Sequence, residues 1–355
     1  MQKIDHHRVH MRRAIDISLR GLGKVSPNPA VGCVIVSNDN NIIAEGYHHE
    51  CGGVHAEVDA LTQLDDIPYG STMYVTLEPC SIHGRTPACT DRIMASGLKS
   101  VVIGMTDPNP LVNGDGISRL KAQGINVVTG VLRNEIEYLN RNFTKWVREK
   151  IPRVIVKLAQ SSDRYISTGT NTRTTISGKE ARIFTHRLRA VCDGVLIGKN
   201  TAVTDDPELT VRDVEGRNPI RFIADTHCNL PRHLKIFRDQ QAETIILSSE
   251  RTVESHQTSY SRVLQVSEHR EKLLPDDMLK KIAETGVTRL LIEGGAELVS
   301  RFMTDGLVDE IYLITSGEKL IKKGVANPIK LTTEWQLIDT QASGSDTITH
   351  FEKKV

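Results

Sequence analysis

Apolar residues recur along the first half of the chain at two alternating spacings. Between Met11 and Leu22 they fall near every third or fourth position, which predicts a helix, and Ser26-Pro27-Asn28-Pro29 then interrupts the pattern. Short runs rich in β-branched residues predict strands at 31–36, 42–47, 73–77 and 101–105. Further helical patterns, at 56–64 and 88–96, lie between these strands. Strands that alternate with helices predict an α/β layer.

A second series of strands follows a helix predicted at 135–148. The junction Lys150-Ile151-Pro152 ends that helix, because proline cannot continue it. The later strands are predicted at 153–158, 194–197, 220–224, 244–247, 289–292 and 310–314. A chain of 355 residues exceeds the roughly 100–200 residues of a usual domain. We therefore expect two α/β domains, 1–150 and 151–355.

The composition of the chain limits the classes of binding partner that we expect. The chain has 45 Lys and Arg against 44 Asp and Glu, so its net charge of +1 offers no field that would gather nucleic acid. The N-terminus lacks the apolar core of a secretory signal, and no stretch approaches the roughly 20 apolar residues of a membrane span. The cysteines are too few and scattered for a disulfide framework. We expect a reduced, cytoplasmic protein with a small-molecule substrate and no nucleic-acid or membrane partner.

Three residues of the first half form a candidate metal site. His55 opens the helix predicted at 56–64, Cys80 follows the strand at 73–77, and Cys89 lies where a loop enters the next helix. One His and two Cys supply three of the four tetrahedral ligands of Zn²⁺ and leave one position for water. The metal lowers the pKa of such a water toward 7. This ligand set therefore predicts catalytic zinc.

Glu57 and the segment before Cys89 complete the predicted chemistry. Glu57 is two residues from His55 and can carry a proton from water to a ring nitrogen and then to departing ammonia. Thr86 is predicted as an N-cap and Pro87 as the first helical residue, so amides at the helix start favour the thiolate of Cys89. Eight residues separate Cys80 from Cys89, where zinc deaminases commonly have two. The sequence thus predicts a zinc-dependent deaminase of a small amino-heterocycle.

Structural interpretations compete with this one. An isolated His-x-Glu is common by chance, and an isolated cysteine is most often a small buried apolar residue. A purely structural zinc site would need a fourth ligand, and Cys51 and His83 are available. The combination of residues favours the catalytic site.

Four segments resemble a known family. They are SPNPAVGCVIV (26–36), HAEVDAL (55–61), YVTLEPCSIHGRTPAC (74–89) and TDPNPLVNGDGI (106–117). Together they resemble the deaminase domain of the bifunctional riboflavin-biosynthesis deaminase/reductase, among whose relatives the long GRTPAC loop is distinctive. The resemblance implies a cytidine-deaminase-like three-layer α/β/α fold and deamination of 2,5-diamino-6-ribosylamino-4(3H)-pyrimidinone 5′-phosphate. It also implies that Asn28, His48 and His83 lie near the pyrimidine.

The second half resembles the reductase domain of the same family. The resemblance rests on Lys157, CDGVLIGKNTAVTDDPELTVR (192–212) and RLLIEGGAELVSRF (289–302), a strand followed by a Gly-Gly turn and a helix. It implies a dihydrofolate-reductase-like α/β fold, NADPH as cofactor, reduction of the ribosyl group to ribityl, and a homo-oligomer formed through this domain. The implied NADPH residues are Lys157, Thr201, Asp205, Gly295, Ala296 and Arg301. The implied residues for the sugar phosphate are Arg189, Leu209, Arg212 and Glu293; guanidinium groups suit phosphate because they can pair with it bidentately.

The chain departs from the family pattern at three places. Arg164 ends the turn Ser161-Ser162-Asp163-Arg164, where the family has glycine, and Thr175 stands where tryptophan is usual. Thr315-Ser316-Gly317 lacks the customary proline. These departures predict a remodelled cofactor pocket.

Two alternatives stay open. A nucleic-acid deaminase would share the metal ligands and Glu57, but 4% aromatic residues and a balanced charge do not favour it. Alternatively, residues 151–355 form a degenerate, non-catalytic domain that serves assembly alone. Binding of a cofactor distinguishes these alternatives from a bifunctional enzyme.

Overall fold

The chain divides into two units, Met1–Lys150 and Ile151–Val355. The computed structural model describes residues 2–82, 87–110, 112–169, 173–249, 261–319 and 321–354, with side chains described from residue 6 onward. Within these ranges no helix is both long enough and apolar enough to cross a membrane.

The first unit is built on one sheet of five strands. Its elements in chain order are α1 (Gln2–Ser18), a 3₁₀ turn (Leu19–Gly21), β1 (Gly32–Val36), β2 (Ile42–Tyr47), α2 (Ala56–Leu61), β3 (Thr72–Leu77), α3 (Cys89–Ala95), β4 (Ser100–Met105), α4 (Asp115–Ala122), β5 (Asn126–Thr129), α5 (Arg133–Leu139) and α6 (Arg141–Glu149). The strand order is β2-β1-β3-β4-β5, with β2 and β3 antiparallel to β1 and the others parallel to β3.

Alternate residues of β1 supply two separate cores. Cys33 and Ile35 pack with residues of α2, α3 and α4, whereas Val34 and Val36 pack with residues of α1 and α5. Because successive side chains of a strand point to opposite faces, a fully buried strand such as β1 must be covered on both sides. The unit is therefore a three-layer α/β/α structure, as the sequence predicts.

The helix predicted at 135–148 is interrupted at Asn140. This buried side chain accepts a hydrogen bond from Ala30 N–H at 2.9 Å and donates one to the Ala30 carbonyl at 3.1 Å. Asn140 joins α5 to α6 with non-helical backbone angles. The prediction of one continuous helix was wrong because a contact 110 residues distant competes with helix propagation.

The second unit is built on a sheet of nine strands. Its elements are β6 (Arg153–Gln160), β7 (Tyr165–Ser167), α7 (Lys179–Ala190), β8 (Gly194–Gly198), α8 (Lys199–Asp205), β9 (Ile220–Ala224), α9 (Lys235–Arg238), β10 (Thr244–Ser248), β11 (Ser261–Gln265), β12 (Glu268–His269), β13 (Lys272–Leu273), α10 (Pro275–Ala283), β14 (Arg289–Glu293), α11 (Ala296–Thr304), β15 (Glu310–Ser316), β16 (Val325–Ala326), β17 (Trp335–Ser343) and β18 (Asp346–Lys353). The main sheet has the order β11-β10-β9-β8-β14-β6-β15-β18-β17.

The strands from β11 to β15 are parallel, so their carboxyl ends meet at one edge of the sheet. In parallel α/β sheets this edge is where ligands bind. The register pairs Lys157 of β6 with Glu293 of β14 near this edge. Two apolar clusters, one containing α10 and α11 and the other α7 and α9, cover the sheet.

Arg164 takes the left-handed conformation that its position requires. Its φ is +65°, and its N–H donates to the Ser161 carbonyl at 2.9 Å, which closes the turn. The tight turn forms despite the side chain, which lies exposed. The turn is therefore closed with arginine in the place of the family's glycine, although a non-glycine residue is strained there.

Candidate metal centre and ligand cavity

The three predicted zinc ligands converge in the first unit. The ligand atoms of His55, Cys80 and Cys89 lie within 4.8 Å of one another, with His55 Nδ1 at 3.2 Å from Cys89 Sγ and 3.7 Å from Cys80 Sγ. His55 immediately precedes α2, Cys80 follows β3, and Cys89 begins α3. Two cysteine sulfurs and an imidazole nitrogen at this separation suit zinc.

Hydrogen bonds prepare Cys80 for metal binding. The Cys89 thiol and the Cys89 N–H donate to Cys80 Sγ, the latter at 3.3 Å, and together with His55 they lower the pKa of Cys80 to about 4. The hydrogen bond to Cys80 in turn raises the pKa of His55. The sequence predicted that the helix-start amide would act on Cys89, but it acts on Cys80.

The helix that contains Cys89 begins later than predicted. Its first residue is Cys89 and its N-cap is Ala88, so Pro87 precedes the helix. Thr86, predicted as the N-cap, lies outside the described residues, as does His83. Among the described residues, exposed Cys51 is not a member of the metal-binding group.

Glu57 is a buried carboxylate beside these ligands. It is the second residue of α2, only 3% exposed, and burial raises its pKa above the ordinary range despite the opposing influence of His55. Helix α2 packs directly on β2, since a Cβ at Gly46 would lie 2.3 Å from the Ala56 carbonyl. The Glu57 backbone is thereby fixed next to His55.

Asn28 and His48 form a hydrogen-bonded pair close to His55. The imidazole rings of His48 and His55 meet edge to face with centroids 5.4 Å apart. His48 Nδ1 lies 2.9 Å from the Val54 carbonyl, which can only accept, so Nδ1 carries the proton. Burial lowers the pKa of His48, and in the neutral ring Nε2 accepts from Asn28 Nδ2 at 3.0 Å.

Glu78 organises the segment between Asp107 and Ile117 and was missed by sequence reasoning. Its buried carboxylate accepts hydrogen bonds from the backbone N–H groups of Asp107, Gly114 and Ile117 at 3.0–3.1 Å. A Cβ at Gly116 would lie 2.2 Å from the Pro79 carbonyl, so the segment requires glycine there. The signal in the sequence that could have identified Glu78 is a charged residue directly after a buried strand. Burial also raises the pKa of Asp107 to about 6.

The second unit contains a cavity of about 800 Å³ at the carboxyl edge of its sheet. All ten residues that the resemblance implies for the reductase line it: Lys157, Arg189, Thr201, Asp205, Leu209, Arg212, Glu293, Gly295, Ala296 and Arg301. Residues distributed over some 145 positions of sequence thus border one volume.

The guanidinium of Arg189 already makes several hydrogen bonds within the protein, whereas a free phosphate anchor would make none. It donates to both Glu293 oxygens, from Nη2 at 2.9 Å, and from Nη1 to the Thr210 carbonyl at 3.1 Å. Burial opposes ionisation of Glu293, but the charge and hydrogen bonds of Arg189 outweigh it and lower the Glu293 pKa. Beside them, burial lowers the pKa of Lys157.

The Gly-Gly turn lies against α8. Gly294 and Gly295 have φ values of +76° and +79°, and a Cβ at Gly295 would lie 3.2 Å from Thr201 Oγ1. Asp205, at the end of α8, is half-buried, and burial raises its pKa. Arg301 of α11 donates to the Leu273 carbonyl.

His186 is a cavity residue that sequence reasoning missed. Its Nδ1 accepts from Arg212 N–H at 3.1 Å, and its Nε2 lies 3.3 Å from Asp213. Arg212 itself contacts Glu208 at 2.6 Å and Thr210 Oγ1 at 2.6 Å. Thr175 lies exposed on the cavity wall, where its carbonyl accepts from Lys319 at 2.6 Å.

A second group of possible metal ligands has a structural explanation. Glu310, His350 and Glu352 lie close together, but Arg153 Nε is 2.6 Å from Glu310 and already balances its charge. A buried carboxylate paired with a guanidinium in this way has its charge compensated without a metal ion.

Comparisons with known proteins match both units of the chain. Residues 4–105 match the family model for the cytidine and deoxycytidylate deaminase zinc-binding region, and residues 152–348 match the RibD C-terminal domain. The chain is 36% identical over 320 residues to riboflavin biosynthesis protein RibD of Aquifex aeolicus, covering 89% of this chain and 88% of that protein. It is 36% identical over 317 residues to RibD of Escherichia coli, with 86% of each chain covered.

Solved structures extend the agreement to the whole fold. A diaminohydroxyphosphoribosylaminopyrimidine deaminase/5-amino-6-(5-phosphoribosylamino)uracil reductase of Thermotoga maritima is 32% identical, with a TM-score of 0.87 over 99% of each chain. RibD of Acinetobacter baumannii is 30% identical, with a TM-score of 0.88 over 99% of this chain and 100% of that one. The chain therefore belongs to the RibD family of bifunctional riboflavin-biosynthesis enzymes, which join a zinc-dependent deaminase to a reductase.

Proposed function

We propose that residues 1–150 deaminate 2,5-diamino-6-ribosylamino-4(3H)-pyrimidinone 5′-phosphate and that residues 151–355 reduce the ribosyl group of the product with NADPH. The observation that carries this proposal is the presence of two chemically different sites. One is a compact group of two cysteines and a histidine beside a buried glutamate. The other is a cavity of about 800 Å³ with several cations and a glycine turn.

His55, Cys80 and Cys89 hold the zinc in this proposal. Their donor set and their mutual distances of 3.2–3.7 Å around His55 Nδ1 support the assignment. When bound, zinc acts as a Lewis acid that makes water a nucleophile at neutral pH. The low pKa of Cys80 supplies a sulfur that is ionised before any metal arrives.

Glu57 moves the protons of the deamination. Water adds to the amino-bearing ring carbon, the carbon–nitrogen bond breaks, and ammonia leaves with a carbonyl in its place. Glu57 first accepts a proton from the attacking water and then delivers it to the departing nitrogen. Burial, which raises its pKa, suits a carboxyl group that must hold a proton between these steps.

Asn28 and His48 orient the pyrimidine. With His48 neutral and its Nδ1–H committed to Val54, the Asn28 amide nitrogen is committed to His48 Nε2. The Asn28 carbonyl oxygen then suits an amino group of the ring as an acceptor. We assign His83 to the same pocket from the family resemblance alone, since it lies outside the described residues.

The cavity of the second unit accommodates the sugar phosphate and the cofactor. When bound, NADPH would supply the hydride that reduces C1′ of the ribosyl group to the ribityl level. We assign Arg189, Leu209, Arg212 and Glu293 to the substrate and Lys157, Thr201, Asp205, Gly295, Ala296 and Arg301 to NADPH. Glu293 positions Arg189 through two hydrogen bonds, so the guanidinium meets the substrate preorganised.

Assembly and location follow from two further features. Strand β17 ends the main sheet, and Leu337 and Ile338 lie on it 56% and 44% exposed. A second copy of the chain that covers this edge would account for these apolar side chains, so we propose a homo-oligomer formed through the reductase domain. Thiolate ligands at Cys80 and Cys89 must stay reduced, so we place the enzyme in the cytoplasm.

Product analysis tests the proposed function. Purified protein is incubated with the diaminopyrimidinone ribosyl phosphate, with and without NADPH, and the molecular masses of the products are measured by mass spectrometry. We expect exchange of one amino group for oxygen without NADPH, and the further gain of two hydrogens with it. Glu57→Gln should keep zinc and slow the first reaction by at least about 10²-fold, the scale of general acid–base catalysis. An unchanged substrate in the presence of zinc would contradict the proposal.

A further inference from the structure

The reductase cavity extends well beyond the residues assigned to the substrate. In the main sheet, β14 and β8 lie between β6 and β9. Three inter-strand spacings of about 4.8 Å, or ~14 Å in all, therefore separate β6 from β9. Lys157 and Glu293 line the part at β6 and β14, and Asp225, Thr226 and His227 line the part at the end of β9. An extended NADPH with its nicotinamide beside Lys157 and Glu293 would span this distance and place its adenosine half at the β9 end.

A short hairpin formed by β12 and β13 borders that end. Thr226 Oγ1 donates to the Glu271 carbonyl at 3.4 Å, and Arg301 of α11 donates to the Leu273 carbonyl. Between these two contacts, Lys272 Nζ lies 2.6 Å from Glu297 in the first turn of α11. The hairpin therefore places the Lys272 ammonium on the cavity wall, between β9 and α11.

Asp225, the acidic residue at the end of β9, does not disfavour binding of a phosphate group there. An acid at the end of such a strand ordinarily binds a ribose diol and repels a 2′-phosphate. Asp225, however, is 1% exposed, and its Oδ2 accepts from the N–H groups of Asn229 and Leu230 at 2.7 and 2.9 Å. Its Oδ1 lies 3.3 Å from Lys199 Nζ. Lys199 thus pairs with the Asp225 charge through Oδ1, and Oδ2 is committed to the backbone.

We propose that Lys272 recognises the 2′-phosphate of NADPH and that the Lys199–Asp225 pair removes the negative charge that would oppose it. This inference rests on the proposed reductase function. Glu297 holds Lys272 in place until cofactor arrives, and the more highly charged phosphate then replaces the carboxylate as its partner. The hairpin at 268–273 accordingly determines the preference for NADPH over NADH.

Nucleotide fragments isolate this interaction. Full-length protein is titrated by calorimetry with 2′,5′-ADP and with 5′-AMP, which differ in the 2′-phosphate, and with NADPH and NADH. Lys272→Ala should weaken 2′,5′-ADP binding by about tenfold or more, the scale of one charge-assisted hydrogen bond, and leave 5′-AMP binding unchanged. Lys272→Glu should weaken it further. Glu297→Gln should strengthen it.

Lys280→Ala is the matched control. Lys280 is 54% exposed and 2.5 Å from Asp276, much as Lys272 is 56% exposed and 2.6 Å from Glu297, but Lys280 lies on α10 and outside the cavity lining. This variant should bind all four nucleotides like wild type. Raised salt should weaken 2′,5′-ADP binding more in wild type than in Lys272→Ala.

The results separate this inference from the function on which it rests. If wild type binds NADPH but Lys272→Ala leaves the affinities unchanged, or lowers those for 5′-AMP and 2′,5′-ADP equally, Lys272 does not recognise the phosphate and the inference fails alone. If wild type binds neither NADPH nor 2′,5′-ADP, the reductase assignment fails together with it.

Discussion

The backbone N–H of Cys89 donates a hydrogen bond to Cys80 Sγ across 3.3 Å, so one proposed zinc ligand stabilises the charge of another. The geometry requires that α3 begin at Cys89, where the first N–H groups of the helix have no partner within it. Although eight residues separate the two cysteines in sequence, Cys89 lies beside Cys80. The metal centre depends on both the ligands and the start of a helix.

Replacing either cysteine should remove the metal. Cys80→Ser and Cys89→Ser each delete a thiolate ligand, and we expect both variants to lose stoichiometric zinc and deamination together. Metal analysis of the purified proteins, combined with an ammonia-release assay, checks this. Cys51→Ser is the control, because Cys51 is exposed and outside the ligand group, and it should keep both properties.

Cys80 should remain reactive in metal-free protein at low pH. A thiol whose pKa is lowered from 9.0 to about 4 is ionised at every pH above that value, whereas an ordinary thiol loses reactivity below about pH 8.5. We expect iodoacetamide to label Cys80 in the apoprotein at acidic pH, with labelling lost as the pH falls through about 4. Peptide mass analysis locates the label. Labelling that already ceases near neutral pH would show that Cys80 is an ordinary thiol.

Asn140 should stabilise the first unit through its contact with Ala30. Asn140→Ala leaves the Ala30 N–H and carbonyl without these partners, which costs about 1–3 kcal/mol for a buried polar group. Asn140→Asp keeps an acceptor for the Ala30 N–H but loses the donor, so we expect an intermediate loss. Denaturant unfolding of the three proteins gives the order. Equal stability of wild type and Asn140→Ala would refute the assigned contact.

Arg164→Gly should make the second unit more stable. Arg164 has a φ of +65°, and a left-handed conformation costs a residue other than glycine about 1–2 kcal/mol, partly offset by the greater flexibility of unfolded glycine. A net gain of about 1 kcal/mol corresponds to about 2–4 °C in the melting temperature of a unit this size. Arg164→Ala retains the strain and should melt like wild type. Differential scanning calorimetry compares the three proteins.

The elements that sequence predicted best are strands with a clear apolar or β-branched pattern. The run Gly32–Val36 is apolar throughout, and the bounds of Ile42–Tyr47 and Ile220–Ala224 agree with prediction. Strands β17 and β18 were missed because β17 is largely exposed and both strands contain many polar residues, so little apolar patterning distinguishes them from loops. Tertiary pairing, not local pattern, makes these residues strands.

In the candidate sites as well, the sequence predicted what local pattern shows and missed what tertiary contacts determine. The donor types of His55, Cys80 and Cys89 are visible in sequence, and the fold, the family and the two cofactors are confirmed. The commitment of Arg189 to Glu293 arises from packing between α7 and β14, 104 residues apart, and no local pattern contains it. Glu78, His186 and Asp225 were missed for the same reason, since their partners include backbone groups that only the fold brings near.

Independence of the two sites is the central claim, and crossed variants test it most directly. Glu57→Gln and Asp205→Ala are each assayed for ammonia release from the diaminopyrimidinone substrate and for NADPH oxidation with already deaminated substrate. Addition of water to a flat ring and transfer of a hydride to a sugar carbon need different geometries, so one pocket cannot serve both. We predict that Glu57→Gln loses ammonia release but oxidises NADPH, and that Asp205→Ala does the reverse. Loss of both activities in either zinc-loaded, folded variant, or absence of NADPH oxidation by wild type, would contradict the account.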